Sequence, residues 1–364
     1  MTSPAPSTVR PTETALLDAV VIGGGAAGLT AATSLARFRY RVVVVDAGQP
    51  RNAPAHGVHN LLGLDGVAPG DLLAAGRRDL AAYGADVVEA AVVSVHRTAP
   101  AAAAPEFRVE LADGSALRAR RVVVASGLVD DLPDIEGLAE RWGRDVLHCP
   151  FCHGWEVRDQ RIVVLATAAR SLHATLLWRR LSEHVTVVLS PGVEPSDAQW
   201  QQFAARGVGV VEAGAPAGLV VEGDRLTGVR LSSGRVVPAD AVAVATTMRA
   251  RVEFLAPLGL APVEFAMGPE VLGTRLESGE MGLTAVPGVY VAGNAGDPMA
   301  QVATAAAAGL TTAAAVNASL LEEDTAVAVS AGVTAPGPGT SGAFSAAAER
   351  EVGELVLGDR RHGL

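Results

Sequence analysis

Both cysteines of this chain, Cys149 and Cys152, fall in one run, His148-Cys149-Pro150-Phe151-Cys152-His153-Gly154. Proline suits the first turn of a helix, which puts Cys149 at a helix N-terminal end. That position favours the thiolate, the reactive form, and either flanking histidine, His148 or His153, can take the proton or stabilise the thiolate as imidazolium. Two thiols at this spacing can alternate between dithiol and disulfide, and in a reducing compartment such a pair is catalytic more often than it is a structural staple. Zinc would need four converging ligands, and the candidates here lie in a single six-residue run that cannot easily wrap a tetrahedral ion, so no metal is expected. The other alternative is inert packing, since free cysteine is often buried. Clustering both cysteines with two histidines argues against it.

A second constellation lies near the N-terminus, where Gly23, Gly25 and Gly28 fit G-x-G-x-x-G. The first glycine permits a tight turn, the second lets the backbone approach a pyrophosphate, and the third lets helix and strand pack closely. A strand at 19–22, helical patterning at 29–37 and a second strand at 41–45 ending at Asp46 supply the context that such a motif requires. The helix N-terminus would face the phosphates. Asp46 is placed to accept hydrogen bonds from a ribose, and its charge would repel a 2′-phosphate, so FAD or NAD fits and NADP does not.

The elements that must hold these two groups follow an α/β plan. Residues 107–111, the turn Asp113-Gly114 and the next apolar segment read as a hairpin feeding a strand at 121–125, closed by Ser126-Gly127. After the cysteines the cycle restarts, with a strand at 161–165, a helix at about 172–181 and a strand at 185–189, which is a second nucleotide-domain skeleton. A hairpin turning at Ser233-Gly234 leads to a strand at 241–245, and a last strand at 288–292 is followed by an alanine-rich helix from about Gln301. Residues 1–14 read as a loose leader. The stretch from about Val329, within a tail taken as 326–364, is rich in glycine, proline, alanine and serine and reads as mostly disordered.

At 364 residues the chain is expected to form two domains with a cleft between them. A formal charge of -10 with no basic cluster leaves no footprint for nucleic acid or an anionic membrane. The N-terminal residues lack the apolar core of a signal peptide, and residues 302–316 are too weakly apolar to read as a membrane span, so a cytoplasmic protein is expected.

By motif order over roughly 16–320 the chain resembles the low-molecular-weight thioredoxin reductase family. Four anchors carry the likeness: Gly23/Gly25/Gly28, the strand ending at Ala125-Ser126-Gly127, a C-x-x-C inside the second domain, and Gly288-Val-Tyr-Val-Ala-Gly293. The resemblance implies two Rossmann-like three-layer domains. The FAD domain is split, 15–127 and 252–325, around an inserted module, 128–251, that carries the cysteines. It also implies a homodimer, and Cys152 facing the isoalloxazine. Asn294, where the family has an acid holding the ribityl chain, can still hydrogen-bond hydroxyls. Gln301 and Val302 match the next flavin-contacting stretch, and the loop with His56, His59 and Asn60 would lie near the flavin.

The chain departs from the reductase pattern where NADPH would bind. The turn Ala166-Thr167-Ala168-Ala169-Arg170-Ser171 has no glycine for a pyrophosphate, and the segment Ser190-Pro191-Gly192-Val193-Glu194 has no basic cluster for a 2′-phosphate. The motif Cys149-Pro-Phe-Cys152-His153-Gly-Trp-Glu looks more like that of the flavoprotein dithiol oxidases of disulfide natural-product pathways. In the mechanism this implies, a substrate thiolate attacks the enzyme disulfide at Cys149 and a second substrate thiolate resolves the mixed disulfide. Cys152 passes two electrons to the flavin, and oxygen takes them as peroxide. His153, or else His148, is the base. Two alternatives stand beside this reading: an NADPH-dependent thioredoxin reductase with thioredoxin as partner, and a flavin-binding redox sensor that turns nothing over.

Overall fold

The computed structural model describes residues 15–98, 104–212, 214–334 and 350–354. The first strand, β1 (Leu16–Ile22), is buried from Leu17 onward, as expected of a central strand covered on both faces. It runs into α1 (Ala26–Arg37), and β2 (Val42–Asp46) returns parallel to it. The helix α2 (Pro69–Ala82), with proline in its first turn, leads to β3 (Asp86–Glu89), parallel to β2. Then β4 (Val92–Arg97), β5 (Phe107–Leu111) and β6 (Ala116–Val124) pair antiparallel in succession, while β6 also lies parallel to β1.

The chain leaves this sheet through β7 (Leu128–Asp131). A short strand, β8 (Val146–Leu147), delivers the chain to the single-turn helix α3 (Pro150–His153), which carries the cysteine motif. Next come β9 (Ile162–Ala166), α4 (Arg170–Trp178), β10 (Val185–Leu189), α5 (Asp197–Arg206) and β11 (Gly209–Val211). An antiparallel layer of β12 (Pro216–Glu222), β13 (Arg225–Leu231) and β14 (Val236–Pro238) follows, and β15 (Ala241–Val244) slots between β9 and β8. The resulting sheet, β11-β10-β9-β15-β8, is parallel throughout. Successive residues of its strands bury into opposite layers: Val164 and Ala243 pack with Trp178 and Phe203, whereas Val163, Leu165, Val242 and Val244 pack with Leu226 and Leu231.

The return path is β16 (Thr247–Ala250), antiparallel to β7, with β17 (Pro262–Met267) and β18 (Glu270–Leu276) completing a four-stranded sheet. Then β19 (Val289–Val291) lies parallel to the end of β6, and α6 (Val302–Thr334) follows. The long β6 therefore pairs with β1 along one edge and shares its other edge between β5, along Ala116–Ala119, and β19, along Val122–Val124. This is the doubly wound α/β architecture expected from the sequence, with two Rossmann-like sheets.

Residues up to Val316 form one compact unit and those from Asn317 another. The tail expected from 326 instead continues α6 as far as Thr334, and residues 350–354 are helical as well. Alanines recur up to Ala331, and their helix propensity extends the helix. The rest of that tail and the leader lie outside the described residues. By length and composition alone, Val302–Ala331 could cross a membrane, with a mean hydropathy of 1.3. Its first half packs on the fold instead: a Cβ on Gly309 would stand 2.2 Å from the Ala27 carbonyl oxygen, and Ala313 and Val316 are buried.

Candidate active site

Strand register brings the first constellation to one sheet edge. Ile22 pairs with Val45 and with Val124, and Val124 pairs with Val291, so four strands end level. Ligands bind at such carboxyl edges. The residues leaving them, among them Gly23, Asp46, Ser126, Gly127 and Gly293, line a cavity of about 870 Å³. Val164, Ala243 and Val244 of the second sheet line it too, and so do Cys149 and Cys152. The glycine motif and the cysteine pair thus open into one chamber.

At α1 two of the three glycines are required by the backbone itself. Gly23 has a φ of +109°, and a Cβ on Gly28 would stand 1.9 Å from the Gly23 carbonyl oxygen, so both positions exclude a side chain. A Cβ on Gly25 would meet nothing within 4 Å, leaving the first turn open to the cavity. That turn contains no acidic residue and no side-chain cap. Free amides and the positive end of a 12-residue helix, with no carboxylate of the chain's own, fit the pyrophosphate of FAD. Asp46 lines the cavity, with Oδ2 accepting from Arg77 Nη2 at 2.6 Å and Oδ1 from the Gly48 amide at 3.2 Å.

Other residues expected at the cofactor are placed as follows. Gln301 and Val302 line the cavity at the start of α6. Ser126 lines it as well, but its hydroxyl donates to the Arg251 carbonyl at 2.6 Å, tying the outgoing strand to the returning segment. Asn294 lines it with Nδ2 engaged on the carbonyls of Asp297, Pro298 and Ala300, at 3.0, 3.3 and 2.9 Å. Its amide therefore holds a turn, and Oδ1 is what it can offer a hydroxyl. Asn60 is exposed, with a φ of +60°, and donates to the Phe151 carbonyl at 2.8 Å. It braces the cysteine helix and is not among the residues lining the cavity. His59 does line it, between Asp65 at 3.3 Å and Glu156 at 3.2 Å, while His56 is exposed.

Around the cysteines, local geometry follows from proline and glycine. Pro150 starts α3, Cys149 caps it, and the amides of Cys152 and His153 both donate to the Cys149 carbonyl at 3.2 Å. The two sulfurs form a disulfide, with Cα atoms 5.3 Å apart. A Cβ on Gly154 would stand 2.2 Å from Leu181 Cδ1 and 2.3 Å from the Pro150 carbonyl oxygen, so glycine is required there.

The two flanking histidines differ. His148 stacks on Trp142, with ring centroids 5.4 Å apart, and its Nε2 lies 3.4 Å from Arg51 Nη2. Loss of solvation, followed by the Arg51 charge, lowers its pKa to about 4, so the ring is neutral and Nε2 faces a donor. His153 is also lowered, chiefly by loss of solvation, with Glu156 opposing the shift. Its Nε2 is buried with no hydrogen-bond partner among the described residues. A neutral imidazole with an unengaged nitrogen beside a disulfide is equipped to accept a proton.

Sequence reasoning missed the hub that surrounds His148. Arg51 grips Asp130 through two hydrogen bonds of 2.6 and 2.7 Å, and the Thr246 hydroxyl donates to Asp130 at 2.8 Å. Burial alone would raise the Asp130 carboxyl, but Arg51, His148 and Thr246 hold it below its ordinary value. Arg51 also reaches Asn294 Oδ1 and the Pro298 carbonyl, at 3.5 and 3.4 Å. The one signal available was an arginine in the Gln49-Pro50-Arg51-Asn52 turn just past the ribose-side strand.

Comparison with known proteins agrees with this geometry. Residues 17–309 match the family described as pyridine nucleotide-disulphide oxidoreductase. The solved structure of HlmI is 44% identical, with a TM-score of 0.80 over 88% of this chain and 98% of that one. An oxidoreductase from Agrobacterium tumefaciens is 34% identical, with a TM-score of 0.76 over 84% of this chain and 99% of that one. A probable thioredoxin reductase from Arthroderma benhamiae is 35% identical over 150 residues, spanning 41% of this chain but 37% of that protein. The chain belongs to the pyridine nucleotide-disulphide oxidoreductase family, with FAD as its cofactor and the thioredoxin reductase-like pair of Rossmann folds.

Proposed function

We propose that this protein oxidises a small dithiol to a disulfide through Cys149 and Cys152, with FAD bound along the α1 edge and oxygen as the final acceptor. The observation that carries the reading is the single cavity lined by both the cysteine disulfide and the open N-terminal turn of α1. Bound FAD supplies a two-electron acceptor that oxygen can reoxidise. The chain's own residues do the rest. His153 Nε2 takes the proton from the incoming thiol, and the resulting thiolate attacks Cys149, opening its bond to Cys152. The second substrate thiol displaces Cys149, leaving the substrate as a disulfide and the enzyme pair as a dithiol. Two electrons and two protons leave by way of Cys152, so the balance is dithiol plus oxygen to disulfide plus hydrogen peroxide. His148 positions the motif and is not the base, because its Nε2 is engaged by Arg51. Asp46 and Gly25 would hold the adenosine half of FAD, and Gly293, Gln301 and Val302, which line the same cavity, would hold its flavin half. A cytoplasmic homodimer fits the family resemblance.

The names of several curated relatives favour a second reading, an NADPH-dependent thioredoxin reductase. Oxygen uptake separates the two. With a small dithiol and no nicotinamide, the wild-type protein should consume oxygen and release an equal amount of peroxide. Cys152→Ser should retain FAD and lose this turnover at least a hundredfold. Uptake that requires NADPH, or an active Cys152→Ser variant, would refute the proposal.

A further inference from the structure

The helices that follow β1 and β9, α1 and α4, treat their N-termini in opposite ways. The first turn of α1 has no acid and no cap, and it faces open space at Gly25. The corresponding turn of α4 is filled from within. Glu270, the first residue of β18, places Oε2 3.0 Å from the Arg170 amide and accepts a second hydrogen bond, on Oε1, from Arg170 Nη1. Arg170 Nη2 donates in turn to the Thr246 carbonyl at 2.9 Å. The neighbouring amides are engaged as well: Thr167 donates to Leu165, Ser171 to Ala168 and Leu172 to Ala169, at 3.0, 3.0 and 3.1 Å. The Ser171 hydroxyl, buried and without a partner among the described residues, is a donor left free.

A helix N-terminus beside a guanidinium is where a dinucleotide phosphate binds in this fold. Here a carboxylate of the chain sits on both donors, and Arg170 and Glu270 line the cavity. We propose that Glu270 is a tethered anion occupying the phosphate position of the second nucleotide site, so that the protein carries its own block against NAD(P)H. The inference deepens the dithiol-oxidase reading and takes its functional meaning from it. A vacant α4 terminus would still attract anions through Arg170 and the helix dipole, even without the glycines. The carboxylate removes that attraction by neutralising the arginine and capping the first amide.

The test is binding of inorganic pyrophosphate to the FAD-loaded full chain, measured by isothermal titration, for wild type, Glu270→Ala, Glu270→Gln and the double variant Glu270→Ala/Arg170→Ala. Wild type should show no saturable binding in the millimolar range. Glu270→Ala should bind at least tenfold more tightly than wild type, and the double variant should lose that gain. Glu270→Gln, which keeps the shape and removes the charge, decides the matter if the alanine variant does not fold, and it should gain affinity in the same direction. If folded variants with native FAD content bind no better than wild type, the plug is wrong and the oxidase reading stands. Failure of dithiols to drive oxygen uptake would remove that reading and leave the binding comparison valid. Reduction of wild-type FAD by NADPH would overturn both.

Discussion

At the scale of residues, chemistry divides between two histidines that the sequence presents as equals. His153 keeps a ring nitrogen with no partner among the described residues, whereas His148 is stacked on Trp142 and faces Arg51. The His148 environment has a measurable consequence. Its pKa falls from 6.5 to about 4 on folding, so the unfolded chain binds the extra proton between those values. Stability is therefore complete above pH 6.5 and is lost as the pH falls toward 4, by up to about 3 kcal/mol. Asp130, with a lowered carboxyl, adds to the loss in the same direction at lower pH. Urea denaturation at pH 7.5 and 5.0 should show this loss in wild type and a smaller one in His148→Gln; equal slopes in the two proteins would refute the assignment. The cysteines, the glycines and both histidines were legible because their chemistry depends on spacing along the chain. The Arg51–Asp130 pair, 79 residues apart, was not, because only folding brings the two together.

At the scale of elements, α3 shows how much rests on one turn. Four residues make the helix, and it survives because Cys149 caps it, Asn60 holds the Phe151 carbonyl and Gly154 lets Leu181 close over its end. Gly154→Ala should cost about 1–3 kcal/mol through overpacking against Leu181 and the Pro150 carbonyl, and should slow thiol oxidation. A variant with wild-type denaturation midpoint and turnover would contradict that packing. Strands β1, β2, β9 and β10 were legible as apolar runs. The sheet of β7, β16, β17 and β18 was not, because its strands pair across the chain's exit and return. The contrast between α1 and α4 was half legible. Missing glycines marked the decayed turn, but a carboxylate arriving from a hairpin 100 residues away left no local trace.

At the scale of the whole molecule, the parallel strands of two sheets bring their carboxyl ends to one chamber, and the cysteine helix lies on its wall. One edge offers FAD a helix terminus free of the chain's own carboxylates; the other is closed by the protein's own glutamate. Electrons are therefore expected to enter from the thiol side. The most direct test is an anaerobic titration of the FAD-loaded protein, following the visible flavin band, with NADPH, NADH and a small dithiol in turn. The account predicts bleaching by the dithiol alone, with colour and peroxide returning on admission of air. Rapid bleaching by NADPH would contradict it and make the protein a reductase.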